Sequence, residues 1–385
     1  MKNKNRTPLE LYIHIPFCVQ KCQYCDFLSG PSDQETRDRY IKALRAEIQA
    51  VQGVEAYEIV SVFIGGGTPS VLKAEAIASI METIQKKFCF SPDAEITIES
   101  NPGTVDLAKL NAYRETGINR LSLGLQSTDS KELRMLGRIH TYEEFLETYH
   151  MARAEGFENI NVDLMSAIPG QNLSDWERTL RTVAELSPEH ISAYSLIIEE
   201  GTPFYERYGN QEDELERGRR IPAEERLPDE DTERRMYWRT EEILKEYGYE
   251  HYEISNYAKP GKACRHNIGY WYRTEYLGIG TGAASLINNC RFTYEPDRMH
   301  MKADEKEILS VQEQMEETMF LGLRMMKGVG RKEFSECYGK ELDEVYGDTI
   351  RTLKEEGLLE EKNSRVYLTR RGIDISNYVM SEFLK

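Results

Sequence analysis

Strand-like apolar runs alternate with helical apolar periodicity through the first half of the chain, and this alternation confines it to an α/β architecture. Strands are expected at 11–15, 59–64, 94–99, 120–126, 159–165 and 190–197. Helices are expected between them at 32–51, 74–87, 106–116, 142–155 and 174–186. Six such repeats are what a parallel sheet with crossover helices produces. Spacing alone does not separate a partial barrel from a doubly wound sheet.

In parallel α/β architectures, ligand groups gather at the carboxyl ends of strands. The second strand here ends in Gly65-Gly66-Gly67-Thr68-Pro69 and the third in Glu99-Ser100-Asn101-Pro102. The fourth ends in Gln126-Ser127, and the fifth carries Asp163 ahead of Ile168-Pro169-Gly170-Gln171. Helix capping accounts poorly for Glu99 and Gln126, which are not preferred caps. The glycine run lets backbone approach a ligand closely. By itself it fits a plain tight turn as well.

Cys18, Cys22 and Cys25 follow the first strand in the pattern C-x3-C-x2-C. Soft thiolates suit iron–sulfur clusters, zinc or Cu(I). Three thiolates around a cubane leave one iron open to a non-protein ligand. A structural zinc site wants a fourth ligand, and the only close imidazole is His14, inside the strand pattern. Tyr24, between the last two cysteines, has no part in a zinc site. Seven cysteines, three of them clustered, do not form a disulfide framework. A cluster demands a reducing compartment.

The stretch Tyr12-Ile-His-Ile-Pro-Phe-Cys18, followed by Cys22-Gln-Tyr-Cys-Asp-Phe27, resembles the radical SAM superfamily. The resemblance is to the branch of oxygen-independent coproporphyrinogen III dehydrogenases and their relatives, the HemW heme chaperones. It implies an open partial (β/α)6 barrel, one [4Fe–4S] cluster on Cys18, Cys22 and Cys25, and S-adenosylmethionine on the open iron. By the same resemblance Tyr12, Gly66, Gly67, Thr68, Glu99, Gln126, Arg138 and Asp163 match positions that contact S-adenosylmethionine. Glu99 suits an ammonium and Arg138 a carboxylate; Gln126 and Asp163 suit ribose hydroxyls. Without the resemblance, Arg138 reads as a surface loop cation. The sequence departs from the family at Ser166 and Ala167, where an aromatic and a glycine are usual.

A second landmark is Cys264-Arg-His-Asn-Ile-Gly-Tyr-Trp271. Histidine is a common heme ligand and aromatic faces stack on porphyrins, yet a histidine among aromatics is more often a satisfied core residue. The H-N-x-x-Y-W pattern resembles the HemW segment associated with heme, which makes His266 the candidate ligand and Cys264 its alternative. Downstream, Gly278-Ile-Gly-Thr-Gly-Ala-Ala-Ser285 lacks the flanking unit of a dinucleotide loop and reads as a close-packed turn. The porphyrinogen-oxidising branch carries a fourth cysteine where this chain has Phe27. The short stretch before Cys18 also leaves little room for the oxidases' longer extension. Both departures favour the chaperone branch, with heme and heme-accepting proteins as partners. The alternative is an oxygen-independent coproporphyrinogen III oxidase.

The chain has 385 residues and a net charge of −17, with 40% hydrophobic and 30% charged residues. That balance describes a globular protein with a sizeable core and argues against bulk nucleic-acid binding. The amino terminus is not a signal peptide, and no apolar run approaches membrane-span length. A cytoplasmic location is expected; peripheral membrane contact and a homodimer stay compatible with the sequence. Three regions are expected: the barrel at 1–205, a charged excursion and extension with the H-N-x-x-Y-W segment at 206–304, and a winged-helix-like domain at 305–385. From Glu305 onward 13 Lys and Arg face 17 Asp and Glu, so the last region reads as a lid or docking element and not a DNA reader.

Overall fold

The computed structural model describes residues 6–209, 221–295 and 306–384. Six parallel strands carry the architecture: β1 (Thr7–Ile15), β2 (Tyr57–Gly66), β3 (Phe90–Ser100), β4 (Arg120–Gln126), β5 (Ile160–Ser166) and β6 (His190–Ser195). They pair in sequence order. The crossovers run through α1 (Gln34–Ala50), α2 (Ala74–Lys87), α3 (Leu107–Glu115), the short α4 (Ser130–Met135), α5 (Tyr142–Ala154) and α6 (Leu173–Glu185). Local chemistry sets the helix starts. The carboxylates of Asp33 and Asp106 cap α1 and α3, and Thr141 forms a capping box with Glu144 at α5.

Alternation along each strand explains how the sheet has two unlike faces. Leu9, Leu11, Ile13 and Ile15 of β1, and Leu121, Leu123 and Leu125 of β4, join one buried apolar cluster with the inner faces of the helices. The intervening residues are polar and bond to one another across the other face. Ser122 donates to Asp163, Asn161 donates to Ser122, and His190 contacts Asn161. The apolar layer therefore lies outside the strands, beneath the helices. The interior is lined by Glu10, Glu95, Arg120, Asn161 and His190, all buried.

The sheet does not stop at β6. Past α7 (Pro203–Tyr208) and the helix Glu230–Glu246, β7 (Glu250–Glu253) and β8 (Asn256–Ala258) extend the β6 side, antiparallel. On the other side β9 (Tyr276–Ile279) pairs parallel with β1. The strands β10 (Ala284–Ile287), β11 (Cys290–Thr293) and β12 (Glu307–Ile308) follow outward from it. Among the described residues β1 and β6 do not pair with each other, so the curved sheet stays open. The Gly278–Ser285 stretch is the end of β9, a tight turn at Gly280–Ala283 and the start of β10: a Cβ on Gly280 would stand 2.7 Å from the Tyr40 hydroxyl.

From Val311 onward a second, smaller core forms. The strands β13 (Val329–Gly330), β14 (Leu359–Lys362) and β15 (Arg365–Leu368) make a sheet in the order β13-β15-β14. It packs with the helices Val311–Gly322, Arg331–Tyr338 and Leu342–Glu355 around Met319, Phe334, Tyr346, Ile350, Val366 and Phe383. Trp238 Nε1 donates to Asp374, and Arg273 pairs with Glu317; both contacts tie this core to the larger one.

Candidate active site at the carboxyl ends of the strands

The loop after β1 is held from both sides. Cys18 N donates to Gly30 O, Gln23 N donates to Leu136 O, and Phe204 N donates to Gln23 O. Tyr24 packs against the small apolar cluster of Leu136, Met165 and Phe204. Burial pushes its phenol well above the usual range. These contacts aim Cys18, Cys22 and Cys25 into one open cavity. Gly66, Gly67, Thr68, Glu99, Gln126, Arg138 and Asp163 line the same cavity.

Two glycines let the backbone of β2 reach this loop. Gly66 has φ +114°, and a Cβ there would lie 2.5 Å from the His14 ring. A Cβ on Gly67 would lie 2.7 Å from Phe17 O and 2.9 Å from Cys18 Sγ. Gly67 N and Thr68 N donate to Ile15 O and Phe17 O, which pins the glycine turn against the cysteine loop.

Glu99 accepts the Gly66 N–H at 3.0 Å. Burial, aided by the nearby Asp163 charge, raises its carboxyl to about 8. Burial also raises Asp163, against hydrogen bonds from Asn161, Ser192 and Ser122. Two carboxyl groups thus face a cavity that stabilises neither anion fully, so a cationic ligand group is favoured there. Gln126 sits at φ +73° beside a register shift between β4 and β5. Its amide oxygen accepts from the Tyr194 hydroxyl at 2.8 Å. Such backbone costs about 1–3 kcal/mol in a non-glycine residue, so the surrounding packing must hold it.

Arg138 is half-buried and enclosed by hydrogen-bond acceptors, not a free surface cation. Its guanidinium donates to Asn101 Oδ1 at 2.7 Å, to Gly124 O at 2.5 Å and to Cys22 Sγ at 3.6 Å. Asn101, Ser122, Gly124 and Tyr194 also line the cavity; none was expected from the sequence. Asn101 stands two residues past Glu99, where it reads as a turn residue.

Tyr12 does not line the cavity. Its hydroxyl meets His14 Nδ1 at 3.0 Å, and His14 Nε2 lies 3.0 Å from Leu28 O. Both His14 nitrogens are engaged, which removes the fourth ligand a zinc site would use. Among the described residues no three His, Cys, Asp or Glu side chains close on a single metal ion. The three cysteines share one cavity that opens to solvent.

His266 lies elsewhere. The helix Arg265–Trp271 sets it against Ser61 of β2 and Glu95 of β3, neither of which lines the cavity. His266 Nδ1 meets Ser61 Oγ at 2.8 Å, and its ring stacks on Phe63 at 5.2 Å and edges against Tyr270 at 4.9 Å. Its Nε2 is buried without a partner, and burial lowers the imidazole to about 3. Glu95 accepts the Arg265 N–H at 3.0 Å. Burial pushes the Cys264 thiol up to about 12 and the Glu10 carboxyl up to about 9.

A parallel sheet with three cysteines, a glycine turn and half-buried acids at its carboxyl ends is the arrangement that the radical SAM resemblance implies. The comparisons agree. Residues 12–183 match the radical SAM superfamily, and residues 309–375 match the HemN C-terminal domain. The heme chaperone HemW of Bacillus subtilis is 36% identical, covering 97% of this chain and 98% of its own. The heme chaperone HemW of Escherichia coli is 40% identical over 73% of this chain and 70% of its own. Coproporphyrinogen III oxidase (HemN) of Escherichia coli superposes with a TM-score of 0.81 at 22% identity, over 99% of this chain and 91% of that one. The chain belongs to the HemW/HemN family of radical SAM proteins.

Proposed function

We propose that the chain is a heme chaperone that holds one [4Fe–4S] cluster and S-adenosylmethionine and hands heme to acceptor proteins. The observation that carries the cofactor reading is the convergence of Cys18, Cys22 and Cys25 with Gly66, Gly67, Glu99, Arg138 and Asp163 on one cavity. The cluster, when bound, supplies an open iron for the amino and carboxylate groups of S-adenosylmethionine. The chain's own residues do the rest. Glu99 and the Gly66–Gly67 backbone accept the N–H groups of the amine, Arg138 offers charge to a carboxylate, and Asp163 with Ser122 offers acceptors to ribose hydroxyls. Tyr24 and Tyr194 close the cavity walls against water.

Relatives along nearly the whole chain that are named heme chaperones support the chaperone role. So does Phe27, which lines the cavity and is 63% exposed. An apolar ring there supplies no thiol beside the cluster, so porphyrinogen oxidation is disfavoured. Heme ligation through His266 Nε2 requires the helix Arg265–Trp271 to withdraw from the sheet interior. We read the smaller C-terminal core as winged-helix-like and as a lid or docking element, in line with its acidic balance. Titrating hemin into anaerobically reconstituted protein tests the reading: saturable binding with an intact cluster is expected, and absence of binding defeats it.

A further inference from the structure

An unbroken run of side-chain hydrogen bonds joins two of the three cysteines. Thr68 Oγ1 donates to Cys18 Sγ at 3.7 Å and accepts from Asn101 Nδ2 at 2.9 Å. Asn101 Oδ1 accepts from Arg138 Nη2 at 2.7 Å, and Arg138 Nη1 donates to Cys22 Sγ at 3.6 Å. The sulfurs are thiols in the ligand-free chain and stand for cluster thiolates. The run has one consistent polarity. With its only hydrogen spent on Cys18, the Thr68 hydroxyl needs a donor. The guanidinium needs an acceptor. One orientation of the Asn101 amide serves both, and the flipped one serves neither.

The fold commits several residues to this arrangement. Asn101 N donates to Ser70 Oγ at 3.2 Å, and Thr104 Oγ1 donates to Asn101 O at 2.7 Å, so its main chain is fixed. A Cβ on Gly124 would stand 2.7 Å from Asn101 Oδ1 and 3.2 Å from Arg138 Nη2. Glycine at that position leaves the space the amide and guanidinium fill.

We propose that Asn101 is a positioning residue for the cluster, aiming the Thr68 hydroxyl at Cys18 and the Arg138 cation at Cys22. The proposal rests on the reading that these cysteines hold a cluster. Reduction adds negative charge to the ligating sulfurs, and donors aimed at them stabilise the reduced state and raise its potential. Cys25 takes a backbone N–H, from Phe27, and is not part of this run. Two of the three ligands are thereby tuned through one amide.

The test uses full-length chain reconstituted anaerobically, without S-adenosylmethionine, and assayed for iron, sulfide and midpoint potential by spectroscopically monitored redox titration. Asn101→Ala is expected to retain the cluster and shift its potential downward. Asn101→Asp is expected to shift it further, since a carboxylate adds negative charge and cannot donate to Thr68. Thr68→Val, which loses the donor, should also fall, and Thr68→Ser should stay at the wild-type value. Loaded Asn101 variants at the wild-type potential overturn the proposal. Should the Asn101 variants take up no cluster, the Thr68 pair decides, and equal potentials for Val and Ser overturn it. Wild-type protein that binds no iron or sulfide defeats the cluster reading itself, a result distinct from an unshifted potential.

Discussion

The Glu99 carboxylate accepts the Gly66 backbone N–H at 3.0 Å, although burial raises that carboxyl to about 8. The folded chain therefore prefers Glu99 protonated above the pH at which the unfolded chain would ionise it. A carboxyl raised from 4.5 contributes stability that is fully present below pH 4.5 and is lost as pH rises through about 8. Between those values the ligand-free wild type should lose more melting temperature than Glu99→Gln. An amine donating to Glu99 favours the ionised carboxylate, so S-adenosylmethionine binding below pH 8 should release more protons from the wild type than from Glu99→Gln. Calorimetry in two buffers of different ionisation enthalpy measures this, and equal release from both proteins would remove Glu99 from the amine contact.

Replacing Cys18, Cys22 and Cys25 together with Ala should abolish iron and acid-labile sulfide uptake after anaerobic reconstitution. Stoichiometric zinc without sulfide in the wild-type protein would turn the loop into a structural metal site.

Gly66→Ala places a Cβ at 2.5 Å from the His14 ring on a backbone with φ +114°. Strain of about 1–3 kcal/mol is expected, read as a lower denaturation midpoint. Gly103, with φ +76° and no atom closer than 3.9 Å to an added Cβ, serves as a control for positive φ without crowding. Gly103→Ala should cost clearly less.

His266→Ala leaves Ser61 without its buried partner and opens a void beside Phe63. A loss of about 1–3 kcal/mol in stability follows from the orphaned hydroxyl. If heme uses this segment, heme affinity or its absorption spectrum should change while iron and sulfide content hold. Unchanged affinity and spectrum would leave His266 as an interior packing residue and make Cys264 the next to test.

Reconstituted protein with S-adenosylmethionine, a reductant and coproporphyrinogen III should bind cofactor without sustained product formation. Phe27 supplies no thiol where the oxidase branch has one. Multiple turnovers under strict anaerobiosis would promote the oxidase reading. Cleavage of S-adenosylmethionine alone would not decide it, because that needs only the cluster and an electron.

The sequence was legible where chemistry and periodicity are local. The α2 helix and β4 strand begin and end where their apolar patterns do. The cysteines and Glu99 stand out because no capping or packing role suits them. The β1 and β3 strands start earlier than expected, at Thr7 and Phe90, because Pro8 and the polar run Ser91–Asp93 mask extended backbone. The short strands β7 to β11 escape detection because three or four residues cannot display a period. Without the resemblance Arg138 reads as a surface loop cation; the fold encloses it with Asn101, Gly124 and Cys22. His266 shows its aromatic neighbours in sequence, but only the fold places it inside the sheet.

The pairing of β9 with β1 carries a consequence for synthesis on the ribosome. The edge of the first strand made waits for a partner translated far downstream. Until Tyr276–Ile279 has emerged, Glu10–Ile13 presents unpaired main-chain groups on that side, and the buried polar interior lacks the helix that covers it. The nascent amino-terminal half should therefore stay protease-sensitive and bind chaperones that guard strand edges. It should become resistant in one step as the region around residue 279 clears the exit tunnel.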